Sequence, residues 1–258
     1  KRKGVAVINA DDKNAKRIKR ALRSRKITYG MTDESDVWAD VRSTGLEGSH
    51  FMVRLPNRES FAVKTRLIGM HNISNILAAA SVGISQGIDI SDLKKGIEKK
   101  VSVKGRLEEV GKPGGIRVFV DYAHTHDALG NVLRFLRPLA KGRIITVFGS
   151  GGDRDRTKRP LMGRVTQKLS DYVIITSDNP RSEDPMDIAR DIEKGMNLEM
   201  KKHSIVPDRK KAIELALKKA AKNDIVLVAG KGHETEQIVG SRAIPFDDRK
   251  VVMEILNK

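Results

Sequence analysis

Residues 174–184 read IITSDNPRSED, and this stretch decides the fold. Ile174, Ile175 and Thr176 are the end of a buried strand. Ser177, Asp178, Asn179 and Pro180 are turn formers that take the chain out of a sheet. Asp184-Pro185 opens a helix, with a capping side chain followed by proline at the first helical position. A strand leaving directly into a helix is the unit of an open α/β sheet, and such sheets bind ligands at the carboxyl ends of their strands. Asp178, Asn179 and Arg181 fall at that place. They offer an anion, an amide and a planar cation, which together suit a ligand carrying both an ammonium and a carboxylate. The same residues also read as a plain loop with its capping groups.

The pattern repeats around this stretch. Apolar strands at Arg117–Val120, Ile144–Phe148, Tyr172–Thr176 and Ile225–Ala229 alternate with helical segments, which predicts a doubly wound, mostly parallel sheet. Each strand runs into a polar loop. After the first comes Asp121-Tyr122-Ala123-His124-Thr125-His126. After the second comes Gly149-Ser150-Gly151-Gly152-Asp153-Arg154-Asp155-Arg156, and after the fourth Gly230-Lys231-Gly232-His233-Glu234. A parallel sheet brings these loops to one edge, so four polar loops converge on one site. Taken singly, the glycine loop is also a tight turn, and His124 and His233 are also packing residues.

Upstream the order differs. Gly4–Ala10 is a short strand, and Asp11-Asp12 caps a helix from about Lys13 to Arg25 with Ile18 and Leu22 inward. Short strands follow at Ile27–Tyr29, Asp36–Arg42, Phe51–Leu55, Ser60–Val63 and Thr65–Ile68, with a hairpin turn at Pro56-Asn57. A helix from Ile73 to Gln86 and another from Ser91 to about Lys100 complete this part. The change of pattern puts a domain boundary near residue 104, giving domains 1–104 and 105–258. There are no internal repeats.

The 258 residues hold enough apolar side chains, 39%, for a real core. Absence of cysteine excludes disulfides, thiolate catalysis and cysteine-ligated metals. No apolar run is long enough to span a bilayer. The net charge of +17 divides into +10 over residues 1–104 and +7 over 105–258, so it is no single tail. It favours anionic partners in general. The basic face of the 13–25 helix lacks interleaved aromatics and reads mainly as a solvated surface.

Six blocks, GMHNISNILAAA, GRLEEV, DYAHTHDAL, VFGSGGDRDRTKRPLMG, SDNPRSEDP and AGKGHE, resemble in order and spacing the signature blocks of the Mur ligases. Within that family they are similar to the ligases that add meso-diaminopimelate to UDP-N-acetylmuramoyl-L-alanyl-D-glutamate. The resemblance implies a cytoplasmic, ADP-forming amide ligase of peptidoglycan precursor synthesis, using ATP and Mg2+. It implies the end of the central ATPase domain followed by the whole C-terminal Rossmann-like domain. Asn72 and Asn75 would lie near adenine, Arg106 and His124 near the phosphates, and Asp121 at the ribose. Arg154, Asp178, Asn179, Arg181, Gly230 and Glu234 would line the amino-acid pocket. No G-x-x-x-x-G-K-[ST] loop is present. The resemblance implies that this loop, the metal ligands and the UDP-binding domain lie upstream of Lys1, so no metal ligand is expected here. The chain departs from the family at Ser74, usually aromatic, at His126, usually proline, and at Glu236, often tyrosine. A catalytically silent relative retained as a scaffold or nucleic-acid-associated subunit is a second reading, and a ligase of a related polymer such as pseudomurein a third; any nucleic-acid binding is expected to be non-specific only.

Overall fold

The computed structural model describes residues 4–99 and 102–257 and divides the chain into two compact units, 1–102 and 103–258.

The first unit is a five-stranded sheet in simple order, β1 Val5–Asn9, β2 Arg25–Gly30, β3 Val37–Gly45, β4 Gly48–Arg54 and β5 Ser60–Thr65. The first three strands are parallel and the last three antiparallel. Between them lies α1, Ala15–Ala21, and after them α2, Met70–Ser85, and α3, Ile90–Lys99. Helix α2 buries Ile73, Ile76, Leu77 and Ala80, the i, i+3, i+4, i+7 stripe of a core-facing helix. Alternate residues of the hairpin strands, Phe51, Val53, Phe61 and Val63, are also buried.

Five local expectations for this unit are corrected. Helix α1 stops at Ala21, because Arg25 already pairs with Val5 in a parallel ladder and the chain must turn before it. Its inward residue is Ala15, whereas Ile18 is 43% exposed. Asp11 and Asp12 do not cap it: Asp11 accepts the Met31 amide, and Asp12 accepts that of Asn14. No separate strand forms over 65–68, because side chains take its backbone groups. The Leu67 amide donates to Thr65 Oγ1, and Ser49 Oγ donates to the Leu67 carbonyl. Helix α3 begins at Ile90, ahead of Ser91, with the amides of Asp92 and Leu93 on the Asp89 carbonyl. Its expected end at Lys100 lies outside the described residues.

The second unit is a six-stranded sheet. Its strands are β6 Glu108–Gly111, β7 Arg117–Asp121, β8 Ile144–Phe148, β9 Tyr172–Ile175, β10 His203–Ile205 and β11 Ile225–Ala229, in the order β10-β9-β8-β11-β7-β6. All pairs are parallel except the edge pair β6–β7. The chain winds outward from β8 through β9 to β10, then returns as β11 between β8 and β7. The direction of winding therefore reverses at β8–β11, where an open α/β sheet forms its crevice. The helices are α4 His126–Leu136, α5 Lys158–Leu169, α6 Pro185–Glu193, α7 Arg209–Lys219 and α8 Asp248–Leu256, and a small hairpin, β12 Glu236–Val239 with β13 Arg242–Pro245, precedes the last.

Strands β8 and β11 are buried at every residue, as strands covered on both faces must be. Val118, Val120, Ile145, Val147, Val226 and Val228 pack against Ala212, Ile213 and Ala216 of α7 and against Val251 and Val252 of α8. Their alternates Phe119, Thr146, Phe148, Val173 and Leu227 are also buried and face the other side of the sheet.

Candidate functional site

The carboxyl ends of β8, β9 and β11 carry three loops that are built into one another. The glycine loop meets the 177–184 loop through backbone. The Gly152 amide donates 2.9 Å to the Asn179 carbonyl, and a methyl group on Gly152 would collide with the Pro180 carbonyl. Glycine is there for that approach, not for an unusual torsion angle. Asp153 follows with φ of +52° and accepts from Ser182 Oγ at 2.6 Å, while its amide donates to Glu183 Oε1 at 2.7 Å. Below this seam lies Arg159 of α5, fully buried, with its guanidinium on both oxygens of Glu183, on Asp191 and on the Gly151 carbonyl. The Arg159 bond is the main cause that holds the Glu183 carboxyl down at about 2, against a smaller opposing effect of burial.

Asp184 caps α6 as expected, accepting from the Met186 amide, with Pro185 in the first turn. Arg181 adopts φ of +52°, a region few residues other than glycine occupy, and it is held there by a strand-like bridge to the β12 hairpin. Its amide donates to the Ile238 carbonyl at 3.1 Å, and the Gly240 amide donates back to its own carbonyl at 2.7 Å. One nitrogen of its guanidinium, Nη1, donates to the Gly152 carbonyl at 2.9 Å. Arg154 is exposed, and a side chain built on Gly151 would meet both arginines, Arg181 Nη1 at 3.0 Å and Arg154 Cγ at 3.8 Å. The Arg181 guanidinium and the Arg154 stem thus share one glycine, while the Arg154 guanidinium donates to the Asp153 carbonyl.

The acidic side of the site is deeper. Asp178 is buried, and its Oδ2 has no hydrogen-bond partner. That oxygen faces Gly230, whose φ is +117°; a Cβ there would come within 2.5 Å of it. A buried carboxylate oxygen without a donor is costly unless a ligand supplies one. Next to it Lys231, with no exposed surface, donates to Asn179 Oδ1 at 3.0 Å and to Glu234 Oε2 at 2.9 Å. Asn179 Nδ2 donates to the same Glu234 oxygen at 3.0 Å, and the Ile238 amide donates to Asn179 Oδ1. Burial pushes the Glu234 carboxyl up, but its bonds to Lys231 and Asn179 outweigh this and hold it below the usual range. Arg209, at the start of α7, is also fully buried. It makes two 2.7 Å bonds to Asp248 of α8 and donates to the Ala229 carbonyl at the end of β11.

The first expected loop joins the loop after β11, the Gly230 amide donating to the Asp121 carbonyl at 3.0 Å. Tyr122 stacks edge-on to His124 and tilted to His233, and the Arg106 guanidinium lies 5.0 Å from its ring centroid. Arg106 and His124 are exposed at one rim. Asp121 is buried and accepts one backbone amide on each oxygen, from Leu107 at 2.6 Å and Ala123 at 2.7 Å. Burial dominates its titration and raises it. Leu107, which makes the shorter bond, has φ of +45°. In the other unit, Asn72 is buried in the first turn of α2 with Nδ2 on the Ile68 carbonyl and Oδ1 without a partner, while Asn75 is exposed on the same helix. Among the described residues no group of three or more His, Cys, Asp or Glu is placed to hold a metal, and no helix is long and apolar enough to cross a membrane.

Sequence reasoning assigned no role to Lys231, Arg209, Arg159 or Tyr122. Lys231 leaves no local mark of burial, because its partner Asn179 lies 52 positions away in the chain. The ion pair of Arg209 with Asp248 joins residues far apart in the chain and leaves no local mark.

The fold and the loops define an α/β domain with a polar crevice at its switch point, preceded by a second α/β unit. Residues 105–232 match the Mur ligase glutamate ligase domain and residues 1–83 the Mur ligase middle domain, and the chain belongs to the Mur ligase family. It is 44% identical over 251 residues to the UDP-N-acetylmuramoyl-L-alanyl-D-glutamate–2,6-diaminopimelate ligase of Solibacter usitatus, and 44% identical to that of Geobacillus kaustophilus. In both cases the match covers 97% of this chain and 51% of the relative, so the chain spans about half the length of the curated relatives it matches. A solved ligase of the same name superposes with a TM-score of 0.62 at 35% identity, over 98% of this chain and 53% of that one. A pseudomurein peptide ligase type C from Methanothermus fervidus reaches a TM-score of 0.70 at 19% identity, covering 97% of this chain and 56% of that one, a likeness of fold alone.

Proposed function

We propose that this chain is the amino-acid-binding half of an ATP-dependent, ADP-forming ligase that joins meso-diaminopimelate to UDP-N-acetylmuramoyl-L-alanyl-D-glutamate. The observation that carries the reading is the polarity of the crevice. Its deep side holds the unpartnered oxygen of Asp178 beside Glu234, and its rim holds Arg181 and Arg154. An amino acid with its ammonium on the carboxylates and a carboxylate on the arginines answers both sides. The strong likeness to diaminopimelate ligases over nearly the whole chain supports the same substrate.

In this reading Arg154, Asp178, Arg181, Gly230 and Glu234 bound the amino-acid pocket, and Asn179 shapes it through Glu234. Its carbonyl oxygen already takes Lys231 and the Ile238 amide. In the second unit Arg106, His124 and Asp121 suit the phosphates and ribose of a nucleotide, and in the first Asn72 and Asn75 suit an adenine. The unpartnered Asn72 Oδ1 suits the donor amine of adenine. ATP supplies the phosphoryl group that activates the acceptor carboxylate, and this chain's part is to hold the incoming amino acid. Magnesium and the phosphate cradle are assigned to no residue here. The test is titration of the purified chain with meso-diaminopimelate. Saturable binding that Asp178→Ala weakens at least tenfold supports the proposal, and no binding of any diamino acid contradicts it.

A further inference from the structure

A lysine with no exposed surface inside a ligand site is an expensive arrangement, since desolvating a charge costs far more than its surface counterpart. Lys231 spends two donors on Asn179 Oδ1 and Glu234 Oε2, and Asn179 Nδ2 lies on the same Oε2. One oxygen of Glu234 is therefore pinned from two directions, while Oε1 takes no hydrogen bond among the described residues. The charges around the cluster come from three elements. The loop after β11 gives Lys231, Glu234 and His233, the loop after β9 gives Asp178, and α7 gives Arg209, already matched by Asp248 of α8. With Arg209 satisfied and Lys231 offsetting Glu234, the deep side keeps a single uncompensated negative charge, that of Asp178.

Resting on the amino-acid-site reading above, we propose that Lys231 is a positioning residue that fixes Glu234 with Oε1 toward the ligand and limits the pocket to one surplus negative charge, matched to one ammonium group of the ligand. The side chain acts through its neighbours, because its donors are spent on Asn179 Oδ1 and Glu234 Oε2. Its loss leaves two facing carboxylates. Burial then governs Glu234, which drifts toward protonation, and its rotamer is released.

Three chains decide this: the parent, Lys231→Met, and Lys231→Met with Glu234→Gln. Each is measured by carboxyl carbon NMR titration and by calorimetric titration with meso-diaminopimelate. In the parent, Glu234 titrates below the ordinary glutamate range. In Lys231→Met it moves above that range, and affinity for meso-diaminopimelate falls about tenfold to a hundredfold, the size of a charge-assisted hydrogen bond. The double variant recovers the parent's melting temperature, because it leaves no unpaired charge that the parent lacks, without recovering affinity. If Lys231→Met does not fold, the double variant still folds on this account, and its failure to do so overturns the proposal. An unmoved Glu234 titration with unchanged affinity also overturns it. A parent that binds no amino acid refutes the site reading, while the Glu234 titration still decides the role of Lys231.

Discussion

The buried pair of Arg209 and Asp248 is the feature of the second unit most exposed to a single substitution. Both side chains are wholly inaccessible, and they share two bonds of 2.7 Å. Arg209 also reaches the carbonyls of Ala229 and Ser177, which end β11 and open the loop after β9. Arg209→Met keeps most of the volume but strands the Asp248 carboxylate in the core. Removing one member of a buried pair costs about 3–5 kcal/mol, mainly from the charge left behind. A loss of 1 kcal/mol lowers the melting temperature of a domain of this size by roughly 2–4 °C, so a fall of about 6–20 °C is expected. Asp248→Leu in the Arg209→Met background removes the stranded charge and returns part of the loss, though the Ala229 carbonyl stays unpaired. Differential scanning calorimetry of the four chains gives the coupling directly. A melting temperature for Arg209→Met within about 2 °C of the parent, or single effects that add in the double variant, would refute the reasoning.

Other outcomes follow from the same structure. Gly152→Ala forces a methyl group into the Pro180 carbonyl; it should separate the two loops, lower the melting temperature, and weaken amino-acid binding more than Gly45→Ala, where the structure leaves open space. Glu183 is held at about 2 against an ordinary value of 4.5, so its contribution to stability is complete above about pH 4.5 and lost as pH falls toward 2. Acid titration of the parent and of Arg159→Met should differ within that window, and identical acid limbs would count against the Arg159–Glu183 account. Any nucleic-acid binding by this +17 chain should be sequence-indifferent and collapse between 50 and 200 mM salt on the order of a counterion-release slope; a salt-resistant complex would favour the scaffold reading instead.

The parts of the fold legible in the sequence were those where burial leaves a mark. The apolar runs of β8 and β11 are buried throughout and their bounds were read without error. The Asp184-Pro185 start of α6 rests on cap chemistry that is local. Strands β6, β10, β12 and β13 escaped because they are three or four residues long and none of their residues is fully buried. Helix α1 was drawn too long because a run of Lys and Arg carries no stop signal, and what ends it is the pairing of Arg25 with β1. At the site, Asp178, Arg181 and Glu234 were readable as charged residues just past buried strands. Lys231 was not, because a lysine in a glycine-rich loop reads as solvated and its burial comes from Asn179, 52 positions away in the chain. The buried polar partners of Arg159 and Arg209 are likewise brought together only by the fold.

The account stands most directly on which amino acid the crevice selects. Arg181, beside Gly151 and near Arg154, should hold a distal carboxylate that meso-diaminopimelate has and lysine lacks; with lysine the arginines lose that partner. The measurement is kcat/KM for the two amino acids in a full-length ligase carrying this domain, with and without Arg181→Ala. The expected result is strong preference for meso-diaminopimelate, reduced by about 2–3 kcal/mol in the variant, the size of a charge-assisted bond. Equal use of lysine, or an unchanged ratio in Arg181→Ala, would contradict it.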